Sequence, residues 1–113
     1  MSGRSARPEG GAHTAPVFAA LGDQTRLALV SRLCAGRPLS IAQLTAATTV
    51  TRQAITKHLH VLAHAGLVLD TRQGRERIWR FQPNGVDEAR LYLDTISKRW
   101  DAALDRLRRF VEE

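Results

Sequence analysis

A short stretch in the middle of the chain carries side chains suited to reading the edges of DNA bases. In residues 51–60, apolar side chains recur at helical spacing and the intervening side chains can form hydrogen bonds. Gln can pair with adenine through two hydrogen bonds, Arg or Lys can pair with guanine, and Thr offers thymine a methyl group. If the stretch is a helix, Ala54, Ile55 and Leu59 face inward, together with His58. The candidate DNA-contacting residues are then Thr51, Arg52, Gln53, Thr56, Lys57 and His60.

The charge distribution supports an anionic partner for this stretch. The chain of 113 residues has a formal net charge of +6 and a pI near 11.0, which favours nucleic acid as a partner. No acidic residue occurs from Thr51 to Leu69, and residues 51–80 hold six basic residues against two acidic ones. An ordinary solvated helix face, the alternative interpretation, carries charges of both signs.

A β-hairpin is predicted after this helix. Two runs rich in β-forming residues, Leu67–Thr71 and Arg77–Gln82, flank a turn that contains Gly74. Trp79 and Phe81 are expected to pack on the domain rather than to stack on bases. Arginines on such a hairpin can contact phosphates or enter the minor groove. The candidate DNA-contacting residues of the hairpin are Arg72, Arg75 and Arg77.

Two helices are predicted ahead of this segment. The first runs from Thr14 to Leu21. Asp23 is a suitable N-cap for the second helix, which ends at Gly36, because its carboxylate can accept from unpaired backbone N–H groups. The spacing of apolar residues in the second helix predicts a buried face made by Leu27, Val30, Leu33 and Cys34.

A helix–turn–helix is predicted next. Ser40 and Gln43 form a capping box for a short helix whose inward residues would be Ile41, Leu44 and Ala47. Thr51 caps the following helix, which extends to about Ala65 and stops at Gly66. A helix–turn–helix followed by a hairpin predicts a mainly α winged helix-turn-helix fold with a small β-hairpin.

The chain divides into three predicted parts. Residues 1–13 form a disordered tail, 14–86 the winged helix-turn-helix, and 87–113 a long C-terminal helix of the same domain. Apolar residues at steps of three and four on this helix predict a seam between two copies, although packing within one chain is the alternative. The predicted dimer interface comprises Leu93, Ile96, Trp100, Leu104, Leu107 and Val111, joined by Val17 and Phe18.

These segments together resemble the ArsR/SmtB family of regulators. The resemblance rests on residues 20–27 (ALGDQTRL), 51–59 (TRQAITKHL), 61–62, 65–68 (AGLV) and 74–77 (GRER). It implies a homodimeric repressor that binds an inverted-repeat operator in double-stranded DNA. A cytoplasmic location is expected separately, because a chain with the single cysteine Cys34 suits a reducing compartment. It also implies that an inducer, of unknown identity, weakens DNA binding.

The resemblance does not extend to the metal sites of the founding members. Ser40 and Ala42 stand where their Cys-x-Cys motif would be. The last helix has Asp94 and Asp101 but no histidine for the second family site. The sequence instead resembles a metal-independent branch in which a Trp, here Trp100, precedes an LDRL segment. No metal and no cofactor is therefore expected.

Three other functions are weighed against this one. A metal or redox sensor would use His60 and His64, spaced for a zinc pair, or Cys34, which we expect to pack as a small apolar side chain. An enzyme would need a nucleophile–base pair or a phosphate-binding loop, and the sequence shows no such motif. A winged-helix protein-interaction module would not require an acid-free helix face. No apolar run is long enough to span a membrane, and no membrane partner is expected.

Overall fold

The predicted order of elements is present in the three-dimensional structure. A computed structural model describes residues 11–112 of the chain, with side chains from Thr14 onward. Within that range lie α1 (Gly11–Leu21), α2 (Gln24–Ala35), β1 (Leu39–Ser40), α3 (Ile41–Ala46), α4 (Arg52–His64), β2 (Val68–Gln73), β3 (Glu76–Phe81) and α5 (Asn84–Glu112). This order confirms the predicted winged helix-turn-helix fold. The predicted N-terminal tail lies mostly outside the described residues, and α1 begins three residues earlier than expected.

Side-chain caps fix where three of the helices begin. A carboxylate oxygen of Asp23 accepts from the backbone N–H of Arg26 at 3.0 Å, ahead of α2. The hydroxyl of Ser40 accepts from the Gln43 N–H at 3.2 Å, and the Gln43 side chain accepts from the Ser40 N–H at 2.9 Å. Thr51 caps α4 in the same way, so all three predicted N-caps are confirmed.

The hairpin turns over two residues. Gln73 pairs with Glu76, which leaves Gly74 and Arg75 as the loop between β2 and β3. Gly74 has φ +63°, a backbone conformation that glycine tolerates better than other residues and that two-residue hairpin turns require. β1 pairs antiparallel with β3 and extends the hairpin to a three-stranded sheet. The sequence did not predict β1, because two residues are too short to show an alternating pattern.

The core lies between α2, α3, α4 and the sheet. Ile55, Leu59 and Leu62 of α4 are fully buried, and so is Trp79 of β3, which confirms the predicted inner face of α4 and the packing role of Trp79. Ala47 was predicted to face inward but is exposed, since α3 ends one residue before it.

The buried face of α2 differs from the prediction. Leu29, Val30 and Leu33 are buried, whereas Leu27 and Cys34 are exposed. The observed buried face is rotated about the helix axis relative to the predicted one. The prediction failed because the periodicity of apolar residues on this helix is compatible with more than one buried face. The expectation that Cys34 packs in the core is therefore wrong.

The long helix α5 begins against the end of α4. Gly85 is buried there, and a Cβ at this position would lie 2.7 Å from the carbonyl oxygen of Ala65. α5 has 29 residues, which corresponds to a length of about 43 Å. Its N-terminal half packs on α1, where the rings of Phe18 and Tyr92 lie 6.4 Å apart. The C-terminal half carries large apolar side chains that the described chain leaves exposed.

Candidate nucleic-acid interface

The outer face of α4 presents polar and basic side chains on a rigid base. Gln53 and Lys57 are exposed on the side of the helix opposite Ile55 and Leu59, which are fully buried, and Arg52 is exposed in the first turn. The two sides are fixed relative to each other by the 3.6-residue helical repeat. An exposed helix face of this kind can enter the major groove and hydrogen-bond to base edges near its N-terminal end.

The other three predicted α4 residues have additional roles within the protein. The Thr51 hydroxyl accepts from the Ala54 N–H at 3.2 Å, and the Thr56 hydroxyl donates to the Arg52 carbonyl at 2.9 Å. The ring of His60 lies 5.9 Å from that of Trp79, on the central strand of the sheet. Thr51 and Thr56 thus use their hydroxyls inside the fold, and the ring of His60 lies beside Trp79. Arg52, Gln53 and Lys57 have no such contact among the hydrogen bonds of the described side chains.

The hairpin arginines also divide into two kinds. Arg77 donates to a carboxylate oxygen of Asp70 at 2.7 Å, and it lies directly across the ladder from Arg72. Arg72 and Arg75 are exposed, and neither forms an ion pair with another residue in the described part of the chain. Arg72 and Arg75 are consequently the hairpin side chains best placed to meet a phosphate backbone.

A cluster of three polar residues connects α4 to the N-terminal helices. Arg26 of α2 donates through Nε to the carbonyl of Ala20 at 2.7 Å and through Nη2 to that of Ala19 at 3.5 Å. Its Nη1 lies 3.2 Å from Nδ1 of His58 on α4. Because guanidinium groups only donate, Nδ1 of His58 is the acceptor in this contact. Arg26 thus joins the end of α1 to α4.

Asp23 completes this cluster. A carboxylate oxygen of Asp23 lies 3.9 Å from Nδ1 of His58. The backbone N–H of Arg26, and then the nearby charge of its guanidinium, hold the pKa of the Asp23 carboxyl below its ordinary value. Hydrogen bonding to the charged form and nearby positive charge both favour the carboxylate.

Arg32 of α2 holds the C-terminal end of α3 through two hydrogen bonds. Its guanidinium nitrogens donate to the carbonyls of Leu44 at 3.4 Å and Gln43 at 3.3 Å, near the C-terminal end of α3. Sequence reasoning missed the roles of Arg26 and His58 in positioning α4, and of Arg32 in holding α3. A basic residue on a helix that bonds to a distant carbonyl leaves no local pattern. The ALGDQTRL segment was the one signal that marked Arg26.

A second surface lies along α5. The exposed apolar side chains there include all the predicted seam residues except Ile96, which is partly buried, and extend to Phe110. Phe18 is also partly exposed. Val17, by contrast, is only 1% exposed and packs in the core of its own chain. The prediction that Val17 belongs to a dimer interface is corrected, since a second chain could not reach it.

The described residues give no support to a metal site or to a membrane-spanning helix. Among the side chains of residues 14–112, no three from His, Cys, Asp or Glu are grouped closely enough to hold a metal ion. Nor does the described part of the chain contain a helix with the length and hydropathy needed to cross a membrane.

Comparison with known proteins decides the family. A family model described as a helix-turn-helix domain matches residues 21–71. The HTH-type transcriptional regulator Rv2034 of Mycobacterium tuberculosis is 40% identical over 85 residues, which cover 75% of this chain and 76% of that protein. An ArsR-like transcriptional regulator from Rhodococcus sp. RHA1 superposes with a TM-score of 0.80 at 35% identity, covering 91% of this chain and 96% of the other.

The chain is a member of the ArsR family of transcriptional regulators. This ArsR-family protein is also similar to the arsenical resistance operon repressor of Escherichia coli K12, at 34% identity over 68 residues, or 60% of this chain and 58% of that one. A homodimeric winged helix-turn-helix DNA-binding domain, Mb0332 from Mycobacterium bovis, matches with a TM-score of 0.63 at 27% identity over 94% of this chain and 95% of the domain. The protein is a transcriptional regulator with a helix-turn-helix DNA-binding domain of the ArsR type.

Proposed function

We propose that this ArsR-family protein is a cytoplasmic repressor that binds an inverted-repeat operator as a homodimer. The observation that carries the proposal is the exposed face of α4, on which Arg52, Gln53 and Lys57 stand without an acidic neighbour on the helix. Each α4 would lie in the major groove, where Gln53 reads a base and the two basic residues read a base or contact phosphates.

The hairpin would add a second contact for each copy. Arg72 and Arg75 project from its tip and its outer strand, where a neighbouring phosphate or the minor groove would lie. Arg77 is expected to contribute less, because its charge is partly satisfied by Asp70. DNA binding by such residues weakens with salt, since each phosphate contact releases a counterion.

Dimerisation is supported by the apolar surface of α5. Exposed apolar side chains recur along its C-terminal half at steps of three and four, which is the pattern of a helix–helix seam. An inverted-repeat operator follows from this arrangement, because a two-fold dimer presents two copies of α4 related by the same symmetry. The homodimeric relative and the relative that is an operon repressor support the proposal by similarity.

Selection of bound duplexes from a random pool tests the proposal as a whole. We expect enrichment of one palindrome whose half-sites are centred about 10–10.5 base pairs apart, or a multiple of that spacing. If no sequence is enriched, and duplex binding varies with salt but not with sequence, the proposal that the protein recognises an operator is contradicted. Enrichment of a single unrepeated site would contradict the dimer.

A further inference from the structure

A groove opens between α1 and the C-terminal half of α4. Its volume is about 410 Å³, within the range of small-molecule sites in proteins. The small side chains of Ala19 and Ala65 leave the space, and Val61 in its wall remains 42% exposed. The apolar lining comprises Pro16, Ala19, Ala20, Val61 and Ala65.

The polar groups of the groove are all basic. Arg26, His60 and His64 line it, and no acidic side chain is among its described lining residues. Arg26 has five N–H donors, of which three are engaged by Ala20, Ala19 and His58. A site with an apolar floor and basic polar groups complements a ligand with an apolar body and a negatively charged head.

Several residues that line the groove belong to α4, the proposed DNA-reading helix, or contact it. His60, Val61, His64 and Ala65 belong to the second half of α4 or to its C-cap. Arg26, in the same wall, bonds α1 to His58 of α4. An anion that draws on the donors of Arg26 would compete with the contact that positions α4.

We propose that this groove is a binding site for a small amphipathic organic anion, and that its occupancy weakens DNA binding. None of the predicted dimer-interface residues lines it. The regulatory half of the proposal rests on the function proposed above, whereas the binding half does not.

The probe for the test is 1-anilinonaphthalene-8-sulfonate, compared with N-phenyl-1-naphthylamine, which has the same rings without the sulfonate. Fluorescence titration of the full chain without DNA should show one saturable site per chain. We expect the neutral compound to bind about tenfold more weakly. Equal affinity for the two compounds would overturn the assignment of an anion site.

Two matched variants locate the probe. Ala19→Leu fills the groove with three extra carbons, whereas Ala28→Leu makes the same change at an exposed position of α2 outside it. We expect A19L to lower the affinity for the sulfonate by about tenfold and A28L to leave it unchanged. Val61→Thr keeps the shape of the groove wall but makes it more polar. It replaces A19L in the test if A19L does not fold, and we expect it to lower the affinity for the sulfonate by a smaller factor. Unchanged affinity in a folded A19L or V61T protein would refute the groove as the site.

The effect on DNA is measured separately, with a random duplex at low salt. Sulfonate at about three times its dissociation constant for the parent should lower the affinity of the parent and of A28L for the duplex by about threefold. The affinity of A19L should fall far less, because the probe then occupies only a minor fraction of that variant. An equal effect on all three would refute regulation through the groove. Absence of duplex binding without the probe would instead contradict the proposed function.

Discussion

Replacing Trp100 with Ala removes the largest exposed apolar side chain on α5. Trp100 is 62% exposed in the single chain. A Trp side chain can bury up to about 250 Å², so about 150 Å² would be covered in the dimer. At about 25 cal/mol per Å², this area corresponds to roughly 4 kcal/mol per chain. The cost of ordering the side chain and the area retained by Ala lower the value to about 3 kcal/mol.

Two-fold symmetry doubles the effect, because each dimer contains two copies of Trp100. A loss of about 6 kcal/mol raises the dimer dissociation constant by about four orders of magnitude. Sedimentation equilibrium over a range of micromolar concentrations measures this change. Leu91→Ala is the matched control, since Leu91 is 68% exposed but lies two residues from Leu93, on the opposite side of the helix. A dissociation constant for W100A within tenfold of the parent value, or an equal loss for L91A, would refute the seam.

Three further predictions concern single contacts. Thr51→Ala should lower the free energy of unfolding by about 1 kcal/mol through loss of the N-cap bond to Ala54, and Thr51→Ser should restore it in denaturant titrations. Asp70→Asn should free Arg77 to contact a DNA phosphate, and so steepen the slope of log affinity against log salt by about one. A shallower slope would show instead that the ion pair with Asp70 holds Arg77 in position to contact DNA. Because the pKa of Asp23 is lowered in the fold, its stabilising contribution is fully present above its unfolded pKa of about 3.9 and is lost as the pH falls through the lower folded value. Asp23→Asn should therefore flatten the acid dependence of stability below about pH 4, and an unchanged acid limb would contradict this assignment.

The helix boundaries and the inner face of α4 followed from local chemistry. Asp23, Ser40 and Thr51 cap helices because their side-chain oxygens meet backbone N–H groups three residues on, which is a short-range property visible in the sequence. The spacing of Ile55 and Leu59 gave the buried side of α4 for the same reason. With these faces fixed, the exposed positions of Arg52, Gln53 and Lys57 could be predicted as well.

Features that depend on tertiary packing could not be predicted. The Arg26–His58 contact spans 32 positions of sequence, and nothing near either residue indicates it. Val17 and Phe18 are adjacent on an apolar helix, yet only the fold decides that Val17 faces the core and Phe18 faces α5. The buried face of α2, which leaves Cys34 exposed, could not be predicted for the same reason. Apolar residues occur on more than one face of that helix, and only tertiary packing selects the face that is buried.

Gln53→Ala shows whether α4 reads DNA bases. Its affinity should be compared with that of the parent on the selected palindrome and on a random duplex at one salt concentration. Gln24→Ala, at an exposed position of α2, is the control. We expect Q53A to lose about tenfold or more in affinity for the palindrome and little for the random duplex, whereas Q24A should lose affinity for neither. Equal losses of Q53A on the two duplexes would contradict base reading by this helix.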